Sequence, residues 1–300
     1  MDHLSFGIKT TPANVGYEEI RRVWLEADGI PELGHAWLYD HLVPWVGGPG
    51  GPRFDPEGSV FEGWTLLAAL AAQTQRLRLG LLVTNNRIRR PAVLAKMAAT
   101  VDVISGGRLD VGIGIGGLPD PAQIAPEYEA YGIPMRPWSD ATARFAEACT
   151  LIRRLWTEEV VDFDGRYDQL KGARGNPSPV QRPHPPLLIG GLGRTTLGIV
   201  AEHADIWNVI GPPVNTVEHL RARATVLDER CAAIGRDPAS IVRSAQLPLR
   251  SYDDPAPTRR FLGELADAGF THFVLNPPAP YPEGVARWVA DELVRPTLSR

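Results

Sequence analysis

Residues 98–117 read A-A-T-V-D-V-I-S-G-G-R-L-D-V-G-I-G-I-G-G, and this stretch decides the fold. Apolar residues at helical spacing lead into it, and Ser105-Gly106-Gly107 ends the helix. Residues 109–115 then alternate apolar and small residues as a fully buried strand does, with glycine at 112, 114 and 116. Glycine weakens a strand unless another group must approach its backbone. The stretch therefore predicts a helix, a tight turn and a buried strand whose glycine-rich end lies against a ligand.

The composition of the 300 residues is that of an enzyme-sized globular protein, with 44% apolar and 22% charged residues. The net charge of −4 gives no reason to expect nucleic acid as a partner, and the longest apolar run, residues 64–72, is too short to cross a membrane. Cys149 and Cys231 stand far apart and fit neither a disulfide framework nor a zinc site. We therefore expect a cytoplasmic protein. The 28 arginines against 3 lysines suggest a GC-rich, actinobacterial genome.

Eight units of strand followed by helix can be traced along the chain, which predicts parallel strands joined by right-handed crossovers. Eight such units are typical of a (β/α)8 TIM barrel, here with an insertion at about 117–186 between strands 4 and 5, in one domain covering 1–300. An open, doubly wound sheet is the alternative. The predicted strands are 4–8, 36–39, 77–83, 109–115, 187–190, 206–210, 241–249 and 271–275.

The active site of such a barrel lies at the carboxyl ends of its strands. The residues there are rich in glycine, amides and hydroxyls, and poor in carboxylates and histidines, which disfavours a metal-dependent hydrolase, the alternative from another enzyme class. The candidates are Lys9-Thr10, Asp40-His41, Thr84-Asn85-Asn86, residues 114–117, residues 190–194, residues 208–211, residues 248–250 and Asn276-Pro277.

Two glycine motifs are candidate ligand sites. Gly112-x-Gly114-x-x-Gly117 matches the dinucleotide fingerprint, but the prolines that follow it do not open a helix, so a flat group packed on the strand is favoured. The motif G-G-L-G-R-T-T at 190–196 follows a strand and opens a helix, where backbone amides bind anions. We expect Gly190, Gly191, Arg194 and Thr195 to hold a phosphate, although such barrels more often bind phosphate after strands 7 and 8.

The chain resembles the bacterial-luciferase-like oxidoreductases, and in particular the branch that uses coenzyme F420. The resemblance rests on V-D-V-I-S-G-G-R-L-D-V-G-I-G-I-G at 101–116, F-G-I-K-T at 6–10, R-P-H-P-P-L-L-I-G-G at 182–191 and A-D-I-W-N at 204–208. It implies a TIM barrel with a flat tricyclic cofactor at its mouth, and a homodimer. Reduced F420 moves a hydride and does not activate oxygen, whereas reduced FMN, the alternative cofactor, supports monooxygenation.

The resemblance also implies roles for particular residues. In F420-dependent sugar-phosphate dehydrogenases of this family an Asp-His-x-x-Pro-Trp stretch supplies catalytic residues, and D-H-L-V-P-W at 40–45 gives His41 and Trp45. Those enzymes carry a glutamate where this chain has Gly117, which speaks against sugar phosphates and leaves His41 as the expected acid–base group. The cofactor-binding set is Asp40, Thr84, Asn85, Gly114, Gly190, Gly191, Gly193, Arg194, Thr195, Asn208, Val209 and Gly211, although Asp40 is also expected to brace the barrel.

The expected function is therefore hydride transfer between F420 and a small organic substrate that the sequence does not identify. An FMN-dependent monooxygenase and a protein that carries the cofactor without turnover are the alternatives.

Overall fold

The structure is a computed structural model, and it describes residues 4–44, 57–116, 125–135 and 137–299. In these residues eight parallel strand positions close a barrel, as predicted. The strands are β1 (Ser5–Lys9), β2 (Leu33–Leu38), β3 (Arg78–Leu81), β4 (Thr84–Asn85), β5 (Leu109–Gly114), β8 (Leu187–Gly190), β9 (Ile206–Ile210), β10 (Val242–Pro248) and β11 (His272–Asn276). Around the barrel they follow the order β3-β2-β1-β11-β10-β9-β8-β5, and β5 pairs with β3 to close the ring.

The third predicted strand differs from expectation because it is broken. β3 ends at Leu81, and β4 resumes at Thr84 to pair with β5. The Leu82–Val83 peptide bond between them is cis. This break shifts residues 82–85 over the glycine-rich end of β5.

The helices lie between the strands and cover the barrel, and none of those in the described residues is long and apolar enough to cross a bilayer. The helix and turn of residues 98–107 fold as predicted. Helix α3 (Pro91–Ser105) is followed by Gly106, whose φ of 68° is the left-handed conformation that glycine favours at a helix end. The helices are α1 (Tyr17–Asp28), α2 (Gly63–Ala71), α3 (Pro91–Ser105), α4 (Ala125–Ala130), α5 (Trp138–Thr157), α6 (Arg194–His203), α7 (Val217–Ala233), α8 (Ala256–Asp267), α9 (Val285–Val289) and α10 (Arg295–Leu298).

The long connection between β5 and β8 carries more structure than predicted. Helix α5 packs against α3 and α6 in the position of a crossover helix. A hairpin forms in it from β6 (Val161–Asp164) and β7 (Gln169–Ala173). Helix α4 in the same connection places two buried side chains, Glu127 and Tyr128, at the barrel mouth.

The barrel interior is polar along one line, unlike the apolar layer between strands and helices. A hydrogen-bonded column descends from the mouth: Lys9 Nζ donates to Gln246 Oε1 (3.0 Å), and Gln246 Nε2 donates to Asn208 Oδ1 (3.3 Å). Asn208 Nδ2 in turn donates to Ser244 Oγ (2.7 Å), which lies 2.7 Å from His272 Nδ1. The column thus joins the mouth of the barrel to its base.

Two stacked imidazoles form that base. The rings of His35 and His272 lie 3.9 Å apart, and Trp37 Nε1 donates to His35 Nδ1 (2.7 Å). Burial lowers the pKa of His272 to about 3 and lowers the pKa of His35 well below its usual value, and the neighbouring His272 ring lowers the pKa of His35 further. Both histidines are therefore neutral at physiological pH.

Candidate active site

Two arcs of different character form the mouth of the barrel. We call Lys9, Tyr39, His41, Gln246 and Asn276 the polar arc; they lie at the carboxyl ends of the adjacent strands β2, β1, β11 and β10. The other side, on β8, β5 and the 82–85 segment, carries glycine and apolar residues. We call it the glycine shelf, and its members are Leu82, Val83, Gly112, Gly114 and Gly190.

The glycines of the shelf make room for the protein's own chain. A Cβ on Gly112 would lie 2.0 Å from the backbone oxygen of Leu81, and one on Gly114 would lie 2.7 Å from Val83 Cγ2. The expectation that a ligand occupies this space directly was therefore wrong. Instead, Val83 lies over the glycines and is itself partly exposed, so it forms an apolar surface on which a flat ring can rest.

A buried carboxylate holds His41. Glu127, fully buried on α4, places its Oε2 3.1 Å from His41 Nδ1 and also accepts from the backbone N–H of Leu42. A carboxylate only accepts, so Nδ1 carries the hydrogen. The role of His41 as the acid–base residue stays a prediction, and the structure adds a buried carboxylate beside it. Nothing in the local pattern around Glu127 distinguished it from a solvent-facing glutamate.

The polar arc also contains an amine without an acidic partner. Lys9 Nζ donates to Gln246 Oε1 and lies 5.7 Å from the centre of the Tyr39 ring. Within the described residues, no carboxylate lies at ion-pair distance from it. Burial lowers the pKa of Lys9 to about 8. The ring of His41 meets the same Tyr39 edge-on, with centroids 5.6 Å apart.

Asp40 braces the loop behind the mouth. It is fully buried, its two oxygens bind Arg89 at 2.6 and 2.9 Å, and Oδ2 also accepts from the backbone N–H of Asn85 (3.0 Å). The side chain of Asn85 is likewise engaged, with Tyr128 of α4 (2.9 Å) and the backbone N–H of Arg87 (2.9 Å). The bracing role expected of Asp40 is therefore present, while its contact with a cofactor stays a prediction.

The predicted phosphate site lies at the end of β8. Helix α6 begins after Gly193 with no side-chain cap, and the first-turn amides of a helix lack partners within it. Arg194 and Thr195 are exposed there. The amide of Gly191, by contrast, already donates to Asn208 O (3.3 Å), so the amides of the α6 first turn are better placed than that of Gly191 to meet an anion.

The remaining residues predicted to bind the cofactor have different surroundings in the structure. Asn208 directs its amide into the axial column, Val209 packs into the core between barrel and helices, and Gly211 donates its N–H to Gln246 O (2.8 Å). Thr84 is buried at the shelf. Trp45 and Gly117 lie outside the described residues.

The buried polar atoms at the mouth that have no hydrogen-bond partner among the described residues include Thr84 Oγ1 on the shelf side and Asn276 Oδ1 on the polar arc. Unpaired buried polar atoms are costly, and a bound molecule with matching groups would satisfy them. In the described residues, no three His, Cys, Asp or Glu side chains are grouped to hold a metal ion. The arrangement suits an organic ligand between the two arcs.

Comparisons with known proteins agree with this architecture. The sequence profile of the luciferase-like monooxygenases matches residues 11–284. A phthiodiolone/phenolphthiodiolone dimycocerosates ketoreductase of Mycobacterium kansasii is 34% identical over 223 residues, 70% of this chain and 57% of the relative. The chain thus spans little more than half the length of that relative.

Solved structures share the fold. An F420-dependent secondary alcohol dehydrogenase in complex with an F420-acetone adduct superposes with a TM-score of 0.81 at 16% identity, over 97% of this chain and 98% of the other. A riboflavin lyase with modified FMN gives a TM-score of 0.77 at 15% identity, over 99% and 91%. With the barrel, its mouth and the profile match in agreement, the chain belongs to the luciferase-like monooxygenase family.

Proposed function

We propose that this protein is a coenzyme F420-dependent oxidoreductase that transfers a hydride between the deazaflavin and a small carbonyl or alcohol substrate. The observation that carries the proposal is the pairing of His41 with buried Glu127 at the same mouth as an apolar shelf. A hydride transfer to a carbonyl needs a flat reductant held against an inert surface and a proton donor facing it.

The shelf is the place for the ring. Val83 offers apolar contact, and Thr84 Oγ1 is a buried polar atom at its edge without a partner among the described residues. The start of α6 would hold the phosphate with the amides of Gly193, Arg194 and Thr195, aided by the helix dipole. When bound, F420 would supply the hydride donor or acceptor.

His41 moves the proton. Glu127 accepts from Nδ1–H and holds the ring, so we assign the proton exchange with the substrate oxygen to Nε2. The names of the mycobacterial ketoreductases and of the secondary alcohol dehydrogenase support a carbonyl–alcohol pair as the substrate class.

The cofactor is tested by titrating the protein with F420 and with FMN, and then mixing the reduced F420 complex with panels of ketones, enones and imines. We expect F420 to bind more tightly than FMN and reduced F420 to be oxidised by at least one panel. Tight binding of reduced FMN with oxygen consumption, and no binding of F420, would establish the monooxygenase alternative. Tight F420 binding without oxidation by any panel would indicate a carrier.

The phosphate contact has its own test. Gly193→Pro removes one amide next to the first turn of α6 and should weaken F420 binding by about tenfold with the fold intact, since a hydrogen bond to a charged group contributes about 1.5–3 kcal/mol. Gly235→Ala, at the exposed end of α7, is the control for a glycine change far from the mouth. Unchanged F420 affinity in the first variant would place the phosphate elsewhere.

A further inference from the structure

We propose that Lys9 binds the oxygen atom of the substrate that changes between carbonyl and alcohol, and so selects oxygen-bearing substrates at this mouth. The inference rests on the proposed hydride transfer for its chemistry, but the site itself is defined by the geometry of three side chains. They are Lys9, Gln246 and Asn276, contributed by the adjacent strands β1, β10 and β11.

The first argument is the incomplete environment of the ammonium. A lysine carries three N–H donors, and here the hydrogen-bond acceptor is Gln246 Oε1, with the Tyr39 ring at 5.7 Å. A desolvated ammonium without a carboxylate partner is destabilised, as its lowered pKa reflects. An oxygen acceptor from a ligand would supply what the described protein does not.

The second argument is the neighbouring acceptor. Asn276 Nδ2 donates to the same Gln246 Oε1 (3.4 Å), which brings Asn276 beside Lys9, and its Oδ1 is buried without a partner among the described residues. One donor and one unpaired acceptor side by side match an alcohol, whose oxygen accepts from Lys9 and whose hydrogen goes to Asn276 Oδ1. A carbonyl oxygen uses the Lys9 donor alone.

The third argument is the relation to the proton donor. Lys9 and His41 both lie against Tyr39, so an oxygen at Lys9 is on the His41 side of the mouth. Bound F420 would supply the hydride, and with it the electron pair that reduces the carbonyl carbon, while the π pair of the C=O bond would move onto oxygen. Lys9 would stabilise that negative charge, and a proton from His41 Nε2 would complete the alcohol.

Two readouts test the inference. In turnover, Lys9→Met should lower kcat/KM for ketone reduction by about 10²-fold, since the loss of one donor to a developing oxyanion has effects of about 10²–10³. Lys9→Arg should restore part of the rate, and F420 affinity should change less than threefold. Lys171→Met, at an exposed lysine, is the matched control with unchanged turnover.

The second readout needs no activity. The chain has three lysines, Lys9, Lys96 and Lys171, so protein labelled with ¹³C at lysine Cε gives three assignable signals. Hexanoate, a carboxylate probe that imitates the charged oxygen, should shift the Lys9 signal and raise its pKa, while the Lys96 and Lys171 signals stay in place.

The two readouts separate the two proposals. A hexanoate response at Lys9 in a protein that binds no F420 would support the oxygen site and overturn the cofactor. Ketone reduction at wild-type rate by Lys9→Met, or no shift of the Lys9 signal with hexanoate, would overturn the role of Lys9 and leave the cofactor standing.

Discussion

The two sides of the barrel mouth are built from opposite kinds of residue. On the glycine shelf, side chains are removed at 112 and 114 so that the neighbouring chain can fold over the strand ends. On the polar arc, long side chains from four strands converge and bond to one another. The glycine shelf therefore provides an apolar surface, and the polar arc provides the hydrogen-bonding and acid–base groups. The comparison teaches that the glycines at this strand end make room for the protein's own chain, and that a ligand meets the surface which that chain forms over them.

Removing the chemistry of the arc should have the largest effect. We expect His41→Ala to lower turnover by about 10²–10⁴-fold, because a general acid–base group contributes about that much, while F420 affinity changes far less. Steady-state rates and cofactor titrations on the same preparation measure both. Turnover close to wild type would show that His41 has a structural role and would contradict the assignment of the acid–base group to the polar arc.

The support of His41 can be tested by a milder change. Glu127→Gln retains hydrogen-bond acceptance at His41 Nδ1 and removes the charge, so we expect a loss of about 10–100-fold in turnover, as for other residues that orient a reacting group. Glu129→Gln, exposed on the same helix, is the control and should be neutral. Equal rates in the two variants would show that the carboxylate does not act on His41.

Filling the shelf should cost stability. In Gly112→Ala the added Cβ meets a backbone oxygen 2.0 Å away, which cannot move as a side chain does, so we expect a loss of about 3 kcal/mol in the free energy of unfolding. Gly198→Ala, in the open middle of α6, should instead stabilise by about 0.5–1 kcal/mol. Urea unfolding of both variants tests the contrast, and a neutral Gly112→Ala would disprove the close approach.

The base of the barrel gives a stability that depends on pH. The folded-state pKa of His272, about 3, lies below the unfolded value, so the unfolded chain binds more protons between the two values and stability falls as pH drops below about 6.5. His35, whose pKa is also lowered, contributes in the same direction, and each of the two histidines adds a slope of up to about 1.4 kcal/mol per pH unit. His272→Gln should therefore reduce the pH dependence of urea-unfolding free energies measured from pH 7 to 5 and leave the part due to His35, whereas His219→Gln, at an exposed residue, should retain the wild-type slope.

The smallest effect on stability is expected at Gly114, where the group next to an added Cβ is a side chain that can move. Gly114→Ala places a Cβ 2.7 Å from Val83 Cγ2, the end of a side chain, and should cost about 1–2 kcal/mol. Adding Val83→Ala should recover about 1 kcal/mol, which a double-mutant cycle measures. Strict additivity of the two changes would show that Val83 does not lie over Gly114.

The sequence predicted those features of the fold that depend on local pattern. Eight strands lie within three residues of their expected ends, and the left-handed Gly106 ends α3 where the turn was expected. The break after Leu81 was not predicted, because nothing in an apolar run signals which residue leaves the strand. The glycines nevertheless marked where that segment would lie.

The candidate site was predicted only in part, since its contacts join distant residues. His41 was identifiable because it follows a strand end, but Glu127 lies 86 residues away in a segment that resembles a loop. Lys9 and Gln246 are 237 residues apart, and neither carries a local signal of the other. Val209 shows the opposite error: it follows Asn208 in sequence, and the alternation of a strand turns its side chain into the core.

The axial column has a direction, and Lys9 sets it. An ammonium can only donate, so Gln246 must turn its carbonyl up to Lys9 and its NH2 down to Asn208. Asn208 must then direct its own NH2 at Ser244, and the Ser244 hydroxyl is left to donate to His272 Nδ1. His272 consequently carries its hydrogen on Nε2. The charge of Lys9 at the mouth thereby selects the tautomer of His272 at the far end of the barrel. Loss of that charge would allow the side-chain amides of Gln246 and Asn208 to exchange their oxygen and nitrogen positions.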